Sequence, residues 1–322
     1  MAGDEPDLFG DQLPQRPARK PSRTEMRLIN ASAVIATEPP ERLGYLHSVL
    51  CQCGLPYNTP DPSLRVWERL NGNSHLKVMA GEAMDPRSGR LVEVAMPSGP
   101  KARLILYHLN SEAVRTKSPL IEVGNSLTDF VRTMLNADPN GREITAFKTQ
   151  MAALAAASIR LGMVDGDRAV TFNTQIVRAF DLWLQKDERQ RVLWPSTVCL
   201  GKDYFESLIE HAVPLDERAI FALAHSALAL DIYAWLAQRL HRINKSASHE
   251  ISWTTLHQQF GQDYARVRDF KRKFVAALSS VHTQYRAANI EATERGLVLR
   301  NSPPPITKRS LLIGKPAPDP AP

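Results

Sequence analysis

Beyond Pro100 the apolar positions switch between a helical and an extended period. Ala102, Ile105, Leu106 and Leu109 recur at steps of three and four, one face of a helix running toward Val114. Ile121-Glu122-Val123 reads as a short strand, and after Gly124-Asn125 the hydroxyl of Ser126 can cap a helix with Leu127, Phe130, Val131 and Met134 on one face. Asn140 and Glu143 have capping-box spacing ahead of a helix marked by Ile144, Phe147, Met151 and Leu154. Val170, Phe172, Ile176, Phe180 and Trp183 then mark extended segments, Gln185 to Gln190 a polar tip, and Arg191 to Leu200 a return strand. Helix, short strand, helix, helix and hairpin is the outline of a winged helix.

The same order returns after Pro214. Asp216 to Ile243 is helical with a break near His225-Ser226, His249 to Trp253 a short strand, and Thr254 to Gly261 a short helix. A long helix is expected from Asp263, its cap, to about Ile290, and Gly296-Leu297-Val298-Leu299 suits a truncated wing. Upstream, Leu76 to Ala80 and Leu91 to Ala95 read as two strands of a hairpin joined through Asp85-Pro86-Arg87-Ser88-Gly89. Both chain ends are rich in Pro and charge with little to bury, the composition of disordered tails. The expected fold is α+β, mainly α: tandem winged-helix domains with disordered N- and C-terminal tails. Its parts are a tail over 1–40, a segment with the hairpin over 41–98, a first winged helix over 99–205, a second, DNA-reading one over 206–302, and a tail over 303–322.

Charge sharpens this picture. The 322-residue chain carries a formal charge of +6 and has a pI of about 9.3. From Tyr264 to Arg309 there are ten Lys and Arg against three Asp and Glu, so this segment holds the excess and the rest is near neutral. Local positive charge is what phosphate binding rewards through counterion release. On the long helix Val267, Phe270, Phe274, Leu278 and Val281 form the apolar face, with Arg268 and Arg272 almost opposite and Lys271 and Lys273 flanking. A helix anchored by one face and basic on the other suits the DNA major groove, where a guanidinium can pair with guanine O6 and N7. Arg266, Arg268, Lys271, Arg272 and Lys273 are therefore the leading DNA-binding candidates. The plainer alternative is a solvated helix face. In the first repeat Arg142, Thr145 and Thr149 project from the apolar face with Lys148 beside them, a weaker surface suited to DNA or to a protein interface.

No catalytic or cofactor motif competes. Gly201-Lys202-Asp203 lacks the glycines of a P-loop, the histidines are scattered, and Cys51 and Cys53 alone cannot complete a zinc site. No enzyme activity, metal or cofactor is expected. No leader and no run of ~20 apolar residues is present, which points to the bacterial cytoplasm and to no membrane partner.

Several ordered stretches resemble the plasmid-encoded RepA replication proteins, between about Met96 and Ala288. They are Gly99-Pro100-Lys101-Ala102-Arg103-Leu104-Ile105-Leu106, Glu112 to Ser118, Phe180-Asp181-Leu182-Trp183, Pro214 to Ala219, Ala229 to Leu236 and Phe270-Lys271-Arg272. The resemblance implies a plasmid replication initiator that binds double-stranded origin DNA at repeated sites. It also implies recruitment of a host initiator and replicative helicase, and a chain able to pass between homodimer and monomer. A transcriptional repressor without initiator activity is the alternative, since it would need the same basic helix.

Overall fold

In the computed structural model the described residues are 20–85, 88–124, 126–179 and 197–306. Local signals start most helices. Helix α1 (Arg23–Thr37) opens on a capping box between Ser22 and Glu25. Strand β1 (Leu43–His47) leads into a single helical turn, α2 (Ser48–Gln52). Strands β2 (Val66–Asn71) and β3 (Ser74–Met79) form one hairpin, and β4 (Glu82–Asp85) and β5 (Arg90–Glu93) another. Next come α3 (Gly99–Thr116), β6 (Leu120–Glu122), α4 (Leu127–Leu135) capped by Ser126, and α5 (Gly141–Ala156) with the Asn140–Glu143 capping box. They are followed by β7 (Ser158–Asp165), β8 (Arg168–Thr174), β9 (Val177–Ala179) and β10 (Thr197–Leu200).

Helix α6 (Lys202–His211) and β11 (Ala212–Asp216) lead into α7 (Glu217–Leu223), and Ser226 caps α8 (Ala227–Arg239), which ends in a 3-10 turn (Leu240–Arg242). Then come β12 (Ser248–Ser252), α9 (Trp253–Phe260), α10 (Val267–Gln284), β13 (Ile290–Ala292) and β14 (Gly296–Arg300).

Two groups of elements share one topology. In the first, α3, β6, α4 and α5 precede β9 and β10, and the sheet order is β6-β10-β9. In the second, α8, β12, α9 and α10 precede β13 and β14, and the order is β12-β14-β13. Each time the first strand pairs antiparallel with the last, which closes three helices over a small sheet. The first group contains an insertion: β7 and β8 leave α5 and join β2 and β3 in an antiparallel sheet of order β2-β3-β7-β8. Leu76 and Val78 on β3 and Ile159 and Leu161 on β7 are buried at every second position, as a half-covered sheet requires.

Several expectations are corrected. Leu76 to Met79 does not pair with Leu91 to Glu93: it lies between β2 and β7, and the hairpin across Asp85–Gly89 is β4–β5. The tail expected through residue 40 is interrupted by α1, which buries Leu28 and Ser32 against α10 and packs on α7. The long helix starts at Val267 instead of Asp263, because the Asp263 carboxylate accepts a hydrogen bond from Asn58 at 3.2 Å while Tyr264 closes a turn on Gly261. It ends at Gln284, where the next residue, Tyr285, donates its hydroxyl to the Pro303 carbonyl at 2.6 Å. The expected wing tip at Gln185 to Gln190 lies outside the described residues, as do Phe180 and Trp183.

The two groups are joined by the β1–β11 ladder and by α3 packing on α8. At that junction Arg103 on α3 meets Asp231 on α8 with Nε–Oδ1 2.6 Å and Nη2–Oδ2 2.8 Å, both side chains buried. The remaining guanidinium hydrogens go to the carbonyls of Leu55, Pro56 and Gly99. A Cβ at Gly54 would stand 2.0 Å from Asp231 Oδ2, so only glycine lets this loop approach the pair. Such a pair stabilises only while both charges are present and bonded. Asp231→Ala should therefore cost about 3–5 kcal/mol in urea unfolding, and Arg103→Met combined with Asp231→Leu should recover most of that loss. A single-variant loss under about 1 kcal/mol would contradict this role.

Beside this junction His47 is fully buried. Its Nδ1 accepts from the Val49 amide at 3.2 Å, which places the ring proton on Nε2, 2.9 Å from Ser207 Oγ. Burial, with His211 nearby, lowers its pKa from 6.5 to about 3. The unfolded chain thus takes up a proton below pH 6.5 that the folded chain refuses, and stability falls as pH drops from that value toward 3. This group should cost about 2 kcal/mol at pH 5 relative to pH 7. His47→Gln should flatten that pH slope in urea unfolding, and equal slopes in variant and wild type would contradict the assignment.

Candidate nucleic-acid interface

The second group positions its third helix from below and behind. Phe270 and Phe274 are fully buried, with ring centroids 5.3 Å apart, and Phe274 stands 5.6 Å from Phe260 and 5.9 Å from Trp253. Phe260 in turn meets Trp235 edge-on at 5.3 Å. Edge and tilted contacts of this kind add to simple burial and fix the helix roll. Near the other end of α10, Ser32 donates to the Thr283 carbonyl at 2.7 Å and Gln284 to the Leu28 carbonyl at 2.9 Å. With the apolar face turned inward, Arg268, Arg272 and Lys273 are left exposed on the N-terminal half.

Charge on this half is organised by Asp269. Arg266, at the N-cap, reaches its carboxylate at 2.7 Å, and Arg272 approaches it from the next turn at 3.8 Å. Both arginines remain more than two-thirds exposed, so the pairing orients them without withdrawing them from solvent. The helix N-terminus adds its own partial positive charge, which also favours a phosphate.

Lys271 is placed differently from its neighbours. Its ammonium lies over the Trp253 ring at 4.9 Å and donates to the Glu294 carbonyl at 3.4 Å. It therefore ties α10 to the β13–β14 turn. Trp253 holds the same turn, with Nε1 donating to Thr293 at 3.0 Å and its amide to Arg295 at 3.1 Å. Gly296 ends the turn where a Cβ would meet the Ile251 carbonyl at 1.9 Å, so the strand can start only on glycine. Arg295 stands exposed at that turn, beside the basic helix. The charge excess over residues 264–309 includes Arg295, and the Glu294-Arg295-Gly296 turn is the sequence signal that sets it apart.

The first group gathers less. Arg142 and Thr149 are exposed on α5 and Lys148 is half-buried. Thr145 and Thr149 spend their hydroxyl hydrogens on the carbonyls of Gly141 and Thr145. Helix α5 packs on α3 and α4, whereas α10 packs on α8, α1, α9 and α7, so the two candidate sets rest on different supporting elements. Cys51 and Cys53 are free thiols, and burial pushes Cys53 up to about 12 and Cys51 upward as well. Among the described residues there is no group of three or more His, Cys, Asp or Glu able to hold a metal, and no helix long and apolar enough to cross a membrane.

Residues 96–255 match the family model described as plasmid encoded RepA protein. Over that stretch the chain is similar to the RepA family. The RepA match opens just before α3 and closes in α9, so it takes in the first group, the junction with α8 and the start of the second group. The RepA-like stretch Phe270-Lys271-Arg272 lies beyond it. No curated protein matches the chain. Among solved structures, the crystal structure of RctB domains 2-3 (residues 155–483) is similar at 10% identity and a TM-score of 0.44, covering 78% of this chain and 94% of that one. A structure of selenomethionine derivatives of domains 2 and 3 of RctB gives the same identity and score, with 77% and 86% covered.

The geometry separates the candidates in a way stability can read. Lys271→Ala should lower stability by about 1 kcal/mol, through the lost ring contact and turn bond. Arg268→Ala and Arg272→Ala should each stay within about 0.5 kcal/mol of wild type. Thermal or urea unfolding of the three variants checks this; equal losses in all three would contradict the different placements.

Proposed function

We propose that the chain is a plasmid replication initiator whose two groups of elements are winged helices, the second reading double-stranded origin DNA. What carries the reading is the exposed cationic half of α10, backed by aromatic packing, in a chain whose residues 96–255 match the RepA model. In this account α10 enters the major groove with Arg268 and Arg272 toward base edges, while Arg266 and Lys273 meet phosphates. The β13–β14 turn, with Arg295 exposed and Lys271 bracing it, follows the adjacent backbone as the wing. The first group supplies a second DNA contact through Arg142, Lys148 and Thr149, or a partner surface for a second copy. The chain performs no chemistry of its own, needs no cofactor and works in the bacterial cytoplasm; strand opening falls to the host initiator and helicase it recruits.

Binding to the duplex flanking the gene, compared with an unrelated duplex at several salt concentrations, tests this. Arg268→Ala and Arg272→Ala should each cost about 1–3 kcal/mol on the flanking duplex and erode its preference. Lys273→Ala should weaken both duplexes alike and reduce the salt slope by about 1. Equal weak binding of wild type to both duplexes, unchanged in the variants, would overturn the reading.

A further inference from the structure

We propose that Val275 is a second base-reading residue of α10, holding the 5-methyl group of a thymine about one or two base pairs from the guanine that Arg272 reads. This rests on the reading of α10 as a groove-facing helix and goes beyond it by naming a second base. At 3.6 residues per turn, Arg268, Arg272, Val275 and Ser279 fall in one outward stripe about 60° wide. All four are exposed. Val275 is 38% exposed, whereas Phe270, Phe274, Leu278 and Val281 of the same helix are buried. Val267, 37% exposed, lies toward the apolar face at the first helical position, which leaves Val275 as the bulky apolar side chain within the basic stripe. Valine is also a poorer helix former than the Lys, Arg and Ala around it, so helix formation does not call for it there.

The chemistry of the stripe changes along its length. Its first turns are cationic, with Arg268, Arg272 and Lys273 exposed. Beyond Lys273 the exposed residues are Val275, Ala276 and Ser279, short and uncharged, so this part of the helix can come close to base edges without a charge for phosphate. Thymine is the base that presents a methyl group in the major groove, and an apolar side chain set against it removes both surfaces from water. Along the helix axis Val275 lies three residues beyond Arg272, about 4.5 Å, against a base-pair rise of about 3.4 Å. With α10 lying along the groove, Val275 therefore meets the base pair next to the guanine held by Arg272, or the one after it. Burial of a single methyl amounts to about a three- to five-fold preference for thymine at that position.

The test measures binding of the full-length protein to the duplex flanking the gene, synthesised with uracil in place of single thymines beside each guanine whose contribution is lost in Arg272→Ala. Uracil deletes the methyl group and leaves the hydrogen-bonding edge intact. Wild type should bind about three- to five-fold more weakly with uracil at one of these positions. Val275→Ala, with helicity unchanged by circular dichroism, should show that loss already on the thymine duplex and little further loss on the uracil duplex. Equal binding of wild type to thymine and uracil at every such position would overturn the proposal while leaving the reading of α10 in place. So would the absence of thymine beside those guanines, or a Val275→Ala loss shared equally by an unrelated duplex. No preference of wild type for the flanking duplex over the unrelated one would remove the reading of α10 and the proposal with it.

Discussion

The relation between the two groups depends on a buried charge pair where α3 meets α8. Arg103 and Asp231 lock α3 to α8 through two short hydrogen bonds, and the leftover guanidinium donors bind the Leu55–Pro56 loop and the first turn of α3. Neither charge is tolerable there without the other, since a lone buried ion costs several kcal/mol. The pair therefore acts as a registry device: α3 and α8 can pack in one relation only, and the loop carrying Gly54 must close over it. The β1–β11 ladder and the buried, neutral His47 lie on the same seam, so both groups share one continuous core.

From that seam the molecule builds outward in two similar but unequal ways. In the first group the third helix continues into β7, and its hydroxyls turn back onto their own backbone, which leaves a modest polar face. In the second group the corresponding helix is held through Phe274 by Trp253 and Phe260 and at its far end by α1, and Arg268, Arg272 and Lys273 stand outward. Rigidity and charge thus coincide on α10, and a groove-reading helix needs both: a fixed roll to aim its side chains and a positive field to draw phosphate.

Much of this was legible in the chain because the signals are local. Ser126 and Asn140 start helices where their side chains can cap them, and the spacing of Phe270, Phe274 and Val281 places Arg268 and Arg272 outward without tertiary knowledge. What escaped notice is set by distant partners. The β7–β8 hairpin is stabilised by β3, far back in the sequence, so Leu76 to Met79 pairs with residues no turn signal could point to. Arg103 and Asp231 lie 128 residues apart on two helices, so no local signal pairs them. Lys271 sits on a flank, and whether a flank meets solvent or a neighbouring turn is decided by where the β13–β14 hairpin folds.

If α10 lies in a major groove, as proposed, methylation of guanine N7 reads that placement directly. With the purified chain on the duplex flanking its gene, dimethyl sulfate footprinting should show protected guanines clustered on one face of the duplex, with the protection lost when Arg268 and Arg272 are both replaced by Ala. Full N7 reactivity under conditions where the protein is bound would contradict the account and leave α10 as a surface that holds DNA only by its phosphates.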